Sequence, residues 1–373
     1  MIIGAPLELK SEERKIALTP SLVQTLISLG HKVLIQKNFG VGAGFIDEKF
    51  TQYGAEIIDS SEQIYSQSDI IVKINPPISD EYGLLKDKQI IFAFFNYSDK
   101  SSLMKVIREK KITTVSYSKI KNNQGFYPFI KASSEIVGKT VIRLASNIME
   151  EYSGGALLSG ATGVEPLKIT VIGAGTVGFN AAKTAVSIGA DVSILDINPF
   201  VLRNIENMPG RKIKTYFSNE ENISKLLPDT DILICAVKRR NKQQKYIIKS
   251  KDIQYLKKGA LVIDTGLVSG NGVVETLDRV LPRHNPIFCD NGILYYCFPD
   301  IASLAAKTIS LAISGTLSNY LVSVATHDDI IDALKENREI ISGVTTYLGQ
   351  ITNEETADMF GESVYELSML TGF

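Results

Sequence analysis

Short apolar runs punctuate the first 130 residues at regular intervals. Ile2-Ile3-Gly4, Val33-Leu34-Ile35, Ile70-Ile71-Val72, Ile90-Ile91-Phe92 and Thr113-Thr114-Val115 each have strand length, and helical patterns lie between them. One of these helices announces both ends. Thr19 stands at its cap and Pro20 at its first turn, Leu22, Val23, Leu26, Ile27 and Leu29 share a face, and Gly30 stops it. Strands alternating with helices predict a parallel sheet covered on both faces.

Residues 132–152, ASSEIVGKTVIRLASNIMEEY, then carry Ile136, Val137, Val141, Leu144, Ala145 and Ile148 at helical spacing. Ser133 or Ser134 is the expected cap and Gly154-Gly155 the expected stop. A second strand–helix alternation fills 168–302, and residues 303 to about 323 are again helical and rich in small side chains. Two long helices flanking the middle unit suggest that the tail returns to the first. The expected class is α/β, with two doubly wound domains: residues 1–131 plus 303–373 form one, and 132–302 form another inserted between its segments.

Composition narrows the function. The chain has 373 residues, enough for two cores, and 40 basic residues against 41 acidic ones. That balance leaves no electrostatic footprint for nucleic acid or an anionic membrane. The apolar runs read as too short and too interrupted to span a bilayer, and the start lacks a signal-peptide layout. Cys235, Cys289 and Cys297 lack metal-ligand spacing and read as reduced core thiols of a cytoplasmic protein.

The sharpest motif is ITVIGAGTVGFNAAKTAVSIGADVSILD, residues 169–196. A buried strand leads into Gly173-Ala174-Gly175-Thr176-Val177-Gly178, a helix follows, and a second strand ends at Asp196. In G-x-G-x-x-G the first glycine permits the turn, the second admits a pyrophosphate close to the backbone, and the third lets helix and strand pack. The helix N-terminus offers free N–H groups to phosphate. Asp196 suits a ribose 2′-hydroxyl and repels a 2′-phosphate, so the expected cofactor is NAD in a Rossmann-like domain.

With these residues in view, the chain resembles the alanine dehydrogenase family, whose relatives include the NAD-binding subunit of proton-translocating transhydrogenase and carboxyethyl-ornithine synthase. The likeness rests on MIIGAPLELKSEERKIALTP at the start, Gly30-His31-Lys32-Val33-Leu34, Val41 through Asp47, Ser134-Glu135-Ile136-Val137-Gly138, the Gly-rich loop and Leu195-Asp196-Ile197-Asn198. It implies two Rossmann-like domains, a hexamer or dimer, and hydride transfer between nicotinamide and a small amino acid, keto acid or imine. It makes Ser134 a contact to the cofactor phosphates, and places Ala236 and Val237 beside the cofactor.

Oxidative deamination needs a cation for the substrate carboxylate, a second donor to polarise the carbonyl or imine, an acid/base near neutral pH, and a carboxylate to orient water or amine. The family uses an arginine, a lysine, a histidine and an aspartate. At the matching positions this chain has Lys15, Asn75, Asn96 and Val268. Arg14 is one residue out of register. Lys73, two residues before Asn75 on the same face of an extended strand, either reaches the pocket or snorkels from the strand end. Asn96 cannot shuttle a proton, and His31, His284 and His327 offer no obvious substitute. Asp264 matches an aspartate of structural character. Asp300 either stands near the reacting carbon or caps the helix after it.

The stretch AVKRRNKQQK, residues 236–245, replaces an apolar family loop with Lys238, Arg239, Arg240, Lys242 and Lys245. It is either a solvated loop or a receiver for an anionic partner. The expected function is an NAD(H)-dependent oxidoreductase of this family working without its usual residues. The alternatives are a genuine L-alanine dehydrogenase and a catalytically silent NAD-binding paralogue.

Overall fold

A computed structural model describes residues 1–97, 101–210, 212–239, 245–267, 270–277 and 279–371. Its strands, in chain order, are β1 (Ile2–Ala5), β2 (Lys32–Gln36), β3 (Glu56–Ile58), β4 (Ile70–Val72), β5 (Ile90–Ala93), β6 (Thr113–Ser116), β7 (Lys168–Ile172), β8 (Asp191–Asp196), β9 (Ile213–Phe217), β10 (Ile232–Cys235), β11 (Leu261–Asp264), β12 (Ile287–Asp290), β13 (Ile293–Tyr296), β14 (Val344–Tyr347) and β15 (Gln350–Ile351). They build two sheets in two compact units. One unit comprises residues 1–133 and 306–373, the other residues 134–305.

The sheet of the first unit has the order β15-β14-β6-β5-β4-β1-β2-β3. β1 to β6 pair in parallel, while β14 joins β6 antiparallel and carries β15 as an antiparallel edge. β1, β4 and β5 are buried almost throughout, as strands covered by helices on both faces must be. β14 reads Val-Thr-Thr-Tyr and escapes hydrophobic pattern reading. Its polarity is absorbed by a buried hydroxyl network in which Thr114 Oγ1 meets Thr345 Oγ1 at 2.8 Å and Thr346 Oγ1 at 2.7 Å, with the Tyr97 hydroxyl 2.9 Å from Thr345 Oγ1.

The helix Pro20–Ser28 has Pro20 in its first turn and ends before Gly30, whose φ is +86°. Thr19 is its N-cap by position, but its side chain makes no capping bond. The hydroxyl donates instead to Ser314 Oγ (2.8 Å), which also accepts Thr19 N–H (3.0 Å), while Ser310 Oγ accepts Ile16 N–H (2.9 Å). Ser310 and Ser314 lie on the helix Ala306–Ala325, so this helix pins residues 16–19, which lead into the helix Pro20–Ser28. By length and composition Ile301–Ala325 suffices to cross a membrane, which corrects the reading that no run is long enough. Ile309, Ile313, Leu317 and Leu321 of this helix are core residues.

The second unit has the order β12-β13-β11-β10-β7-β8-β9, parallel except for β12. The long helix starts at Pro128, earlier than expected, so Ser133 and Ser134 lie within it and cap nothing. Gly138 on this helix is required by packing. A methyl group there would lie 2.4 Å from Val177 O and 3.0 Å from Ala181 N, on the helix Thr176–Ile188. Cys235 and Cys297 are buried thiols, whereas Cys289 is exposed, contrary to its reading as a core thiol.

Candidate functional site

In an open α/β sheet, ligands bind outside the carboxyl ends of the strands where the strand order reverses. Each sheet here has one such point. In the second unit it falls between β7 and β10, and in the first between β1 and β4.

At the first of these, β7 runs directly into Gly173, whose φ of +95° turns the chain. A methyl group at Gly173 would sit 2.4 Å from Val237 Cγ2 and 2.9 Å from Ala236 O, so the segment leaving β10 lies against the turn. Gly178 lets the helix Thr176–Ile188 close on the strand, since a side chain there would lie 1.8 Å from Gly173 O. Gly175 has nothing within 4 Å of the place its side chain would take, and the backbone there is open to a ligand. Gly175 is also the N-cap and contributes no side-chain bond, which leaves the N–H groups of the first turn, Thr176 and Val177 among them, for phosphate oxygens.

Asp196 ends β8 beside this loop. Its Oδ2 accepts Ala174 N–H at 2.6 Å and its Oδ1 accepts Asn198 N–H at 2.8 Å. The carboxylate is thereby fixed in orientation, and each oxygen keeps a lone pair for a ribose hydroxyl. Ser134 is part-buried near the start of the same unit. The loop, the uncapped helix end and the fixed acid fit a dinucleotide.

The basic stretch after β10 divides. Arg239 is buried: its Nε donates to Gly272 O (2.7 Å), its guanidinium lies 4.1 Å from the Tyr246 ring centre, and its charge acts on Asp264. Asp264 accepts Gly266 N–H (2.8 Å), Val273 N–H (2.5 Å) and Val274 N–H (3.1 Å). Burial pushes its carboxyl up, against the pull of those donors and of Arg239. Arg239 therefore braces a loop from within rather than facing a partner, while Lys238 and Lys245 are exposed. Arg240, Lys242 and Val268 lie outside the described residues. Asp300 caps the turn that follows it, its Oδ1 accepting Ser303 N–H at 3.2 Å.

The second switch point holds a charged network that no spacing in the sequence advertised. β1 runs out toward Glu8, and β4 into Lys73 and Asn75. Parallel pairing of Gly4 with Ile71 brings the two strand ends together. Lys73 is 1 % exposed. Its ammonium donates to Glu81 Oε1 (2.7 Å) and to Leu7 O (3.1 Å), and lies 3.9 Å from Glu8 Oε2. Glu81 also accepts the Tyr65 hydroxyl (2.7 Å) and Ile78 N–H (2.9 Å). Lys73 thus neither snorkels nor faces solvent; it is a buried strut.

Asn75 is half-buried and tied to two acids. Its Nδ2 donates to Glu8 Oε2 (3.2 Å) and to Glu13 Oε2 (2.9 Å), and its backbone N–H also meets Glu8 Oε2 (3.2 Å). Glu8 Oε1 accepts Ile74 N–H at 2.5 Å. Glu13 pairs with Lys15 Nζ at 3.1 Å and accepts the N–H groups of Arg14 and Lys15. Burial raises the Glu8 carboxyl above its ordinary value, and the nearby Lys73 only partly offsets this. The structure therefore brings Lys15, Lys73 and Asn75 into one network and adds Glu8, Glu13 and Glu81, which sequence reasoning missed. Their signal was the strand order, which places whatever follows β1 beside whatever follows β4.

Asn96 is exposed beyond β5. Among the described residues no histidine is bonded to this network. His31 lies near the N-terminal amine, and His327 is held by Ser323 O (2.7 Å) and Glu336 (3.1 Å).

Two doubly wound α/β units, one with a Gly-rich loop and a fixed carboxylate at its switch point and the other with a polar cluster at its own, have the layout of a nicotinamide-dinucleotide-dependent oxidoreductase acting on a small molecule. Residues 4–137 match the family model for the alanine dehydrogenase/PNT N-terminal domain, and residues 141–354 match that for its C-terminal domain. The chain belongs to this family. It is 32% identical over 359 residues to an alanine dehydrogenase of Methanococcus maripaludis, covering 96% of each chain. It is 31% identical to an alanine dehydrogenase of Bacillus subtilis, covering 97% of this chain and 95% of that one. A solved L-alanine dehydrogenase superposes with a TM-score of 0.91 at 28% identity, over 97% of this chain and 99% of the other. A transhydrogenase from Sinorhizobium meliloti shares the fold, with a TM-score of 0.80 at 18% identity over 95% of this chain and all of the other.

Proposed function

We propose that this chain interconverts a small amino acid and the corresponding keto acid or imine with NAD(H), and that it does so without the arginine, lysine, histidine and aspartate set of its family. The observation that carries the reading is the open backbone at Gly175 beside the fixed carboxylate of Asp196. Thr176 and Val177 offer N–H groups to the pyrophosphate, Asp196 takes the adenosine ribose, and Ser134, Ala236 and Val237 complete the cofactor's surroundings. NAD, when bound, supplies the hydride acceptor.

In the oxidative direction the Cα–H leaves as hydride and the nitrogen gives up a proton, which yields an imine. Water adds to the imine carbon, and the amine departs to leave the keto acid. Lys15, steadied by Glu13, holds the substrate carboxylate. Asn75 supplies a polar contact where the family has a cation. Glu8, whose carboxyl is raised above its ordinary value by burial, is the member of this network most readily protonated. Asp300 and Asn96 remain secondary candidates, and Lys73 enters only through its support of Glu8.

The direct test is an NADH titration followed by cofactor fluorescence, then NADH oxidation with pyruvate, glyoxylate and larger keto acids, each with ammonium or an amino acid as amine donor. A protein that fails to bind millimolar NADH sinks the reading. A second reading, a genuine L-alanine dehydrogenase, is favoured by identity of 32% along nearly the whole of both chains. Turnover with pyruvate and ammonium alone selects it. Tight NADH binding with no turnover selects a silent paralogue. Self-association to a dimer or hexamer, and residence in the cytoplasm, belong to the same proposal; light scattering on the purified chain tests the first.

A further inference from the structure

The amide of Asn75 is oriented by its neighbours. Both Nδ2 hydrogens are committed to carboxylate oxygens, one on Glu8 and one on Glu13. Turning the amide over would set its oxygen against two acceptors, so the two acids fix which end faces where. Among the described residues Asn75 Oδ1 has no hydrogen-bond partner. The side chain is half-buried at the switch point between β1 and β4, where a sheet of this order takes its ligand. What this position offers a ligand is an acceptor with carboxylates behind it.

Charge strengthens the same preference. Lys73 is matched by Glu81 at 2.7 Å, and Lys15 by Glu13 at 3.1 Å. Glu8 shares Lys73 only at 3.9 Å and is otherwise held by neutral N–H donors. A carbonyl oxygen backed by Glu8 and Glu13 attracts a cationic donor and repels a carboxylate.

We propose that Asn75 is a specificity-determining residue: its carbonyl oxygen, turned outward by the positioning residues Glu8 and Glu13, takes an ammonium group of the substrate. This rests on the oxidoreductase reading and deepens it. A lysine at this place would polarise a substrate oxygen; the held asparagine selects the nitrogen-bearing partner instead. The substrate class is therefore one read by its amino group here, and a carboxylic acid of the same skeleton without that group is a poor ligand.

The experiment uses the full chain saturated with NAD, with cofactor binding measured first in the same samples. L-alanine, L-lactate and propionate, which share a skeleton and differ in one substituent, are then titrated by calorimetry. The wild type is expected to bind L-alanine roughly ten- to hundredfold more tightly than propionate, the ratio of one charge-assisted hydrogen bond. In Asn75→Lys the ratio collapses or inverts in favour of propionate, and in Asn75→Leu it collapses while the melting temperature confirms that the variant folds. Glu13→Gln, which keeps an acceptor for the amide, retains the preference; Glu13→Leu, which frees the amide to turn, narrows it. Equal binding of L-alanine and propionate by the wild type, or an unchanged ratio in Asn75→Lys, overturns the inference while cofactor binding stands. Failure of NAD and NADH to bind overturns the oxidoreductase reading, and this inference with it.

Discussion

Replacing Lys73 by methionine separates a strut from a catalyst. The ammonium is 1 % exposed and is the cation closest to Glu81, whose side chain is 3 % exposed. Methionine fills much the same volume but leaves Glu81 buried with only the Tyr65 hydroxyl and Ile78 N–H for partners. Breaking a buried pair by removing one member costs about 3–5 kcal/mol, because the surviving charge stays desolvated. For a unit of roughly 200 residues each kcal/mol lowers Tm by about 2–4 °C, so the drop should be about 6–20 °C. Lys73→Met/Glu81→Leu removes both charges and should recover much of that loss, with a coupling energy of about 2–3 kcal/mol. The chain has no tryptophan, so far-UV circular dichroism is the suitable probe of melting. NADH titration should be unaffected, since the Gly-rich loop belongs to the other unit. A Lys73→Met protein that melts within about 2 °C of the wild type, or a double variant no better than the single one, would refute the strut. The first result combined with lost turnover would return Lys73 to the catalytic residues.

Three further outcomes follow from the same geometry. Gly175→Ala should leave Tm unchanged, because its side chain enters open space, yet weaken NADH binding at least tenfold; Gly178→Ala, which drives a carbon to within 1.8 Å of Gly173 O, should lower both, as melting and NADH fluorescence will report. Glu8 has a folded pKa above its ordinary 4.5, so the folded state holds that proton longer than the unfolded one, and this contribution to stability is present below 4.5 and lost as pH rises through the folded pKa. Glu8→Gln should remove that decline from a urea-denaturation series between pH 4 and 8; an unchanged slope would show that Glu8 is not its source. Asp264→Ala strands the N–H groups of Gly266, Val273 and Val274, at about 1–3 kcal/mol for each one left buried, so hydrogen exchange at these three amides should accelerate together.

Legibility in the sequence followed the chemistry of each segment. β1, β4 and β5 are apolar on both faces and surrender to pattern alone, and the Gly173–Gly178 loop identifies itself because every glycine answers a separate steric demand. β3 is three residues long and β14 is mostly polar, so neither carries a hydrophobic period; β14 is a strand because Thr114 and Tyr97 wait for its hydroxyls. The early start of the long helix at Pro128 was missed because two serines inside it imitate a cap. Lys73 and Asn75 were visible as substitutions, but their meaning depended on Glu8, 65 positions before Lys73 and opposite it only once β1 pairs with β4. Local spacing cannot encode such a juxtaposition; strand order does.

The hydroxyls of Ser310 and Ser314 hold residues that left the ribosome nearly three hundred positions earlier. The middle of the chain, contiguous from 134 to 305, can complete itself during synthesis, whereas the amino-terminal portion must wait for the helix Ala306–Ala325 and for β14 to close its sheet. A released chain ending at residue 305 would carry a finished middle unit and an amino-terminal loop, residues 13–19, still without its anchor. Birth order thus runs opposite to sequence order: the half that begins first is finished last.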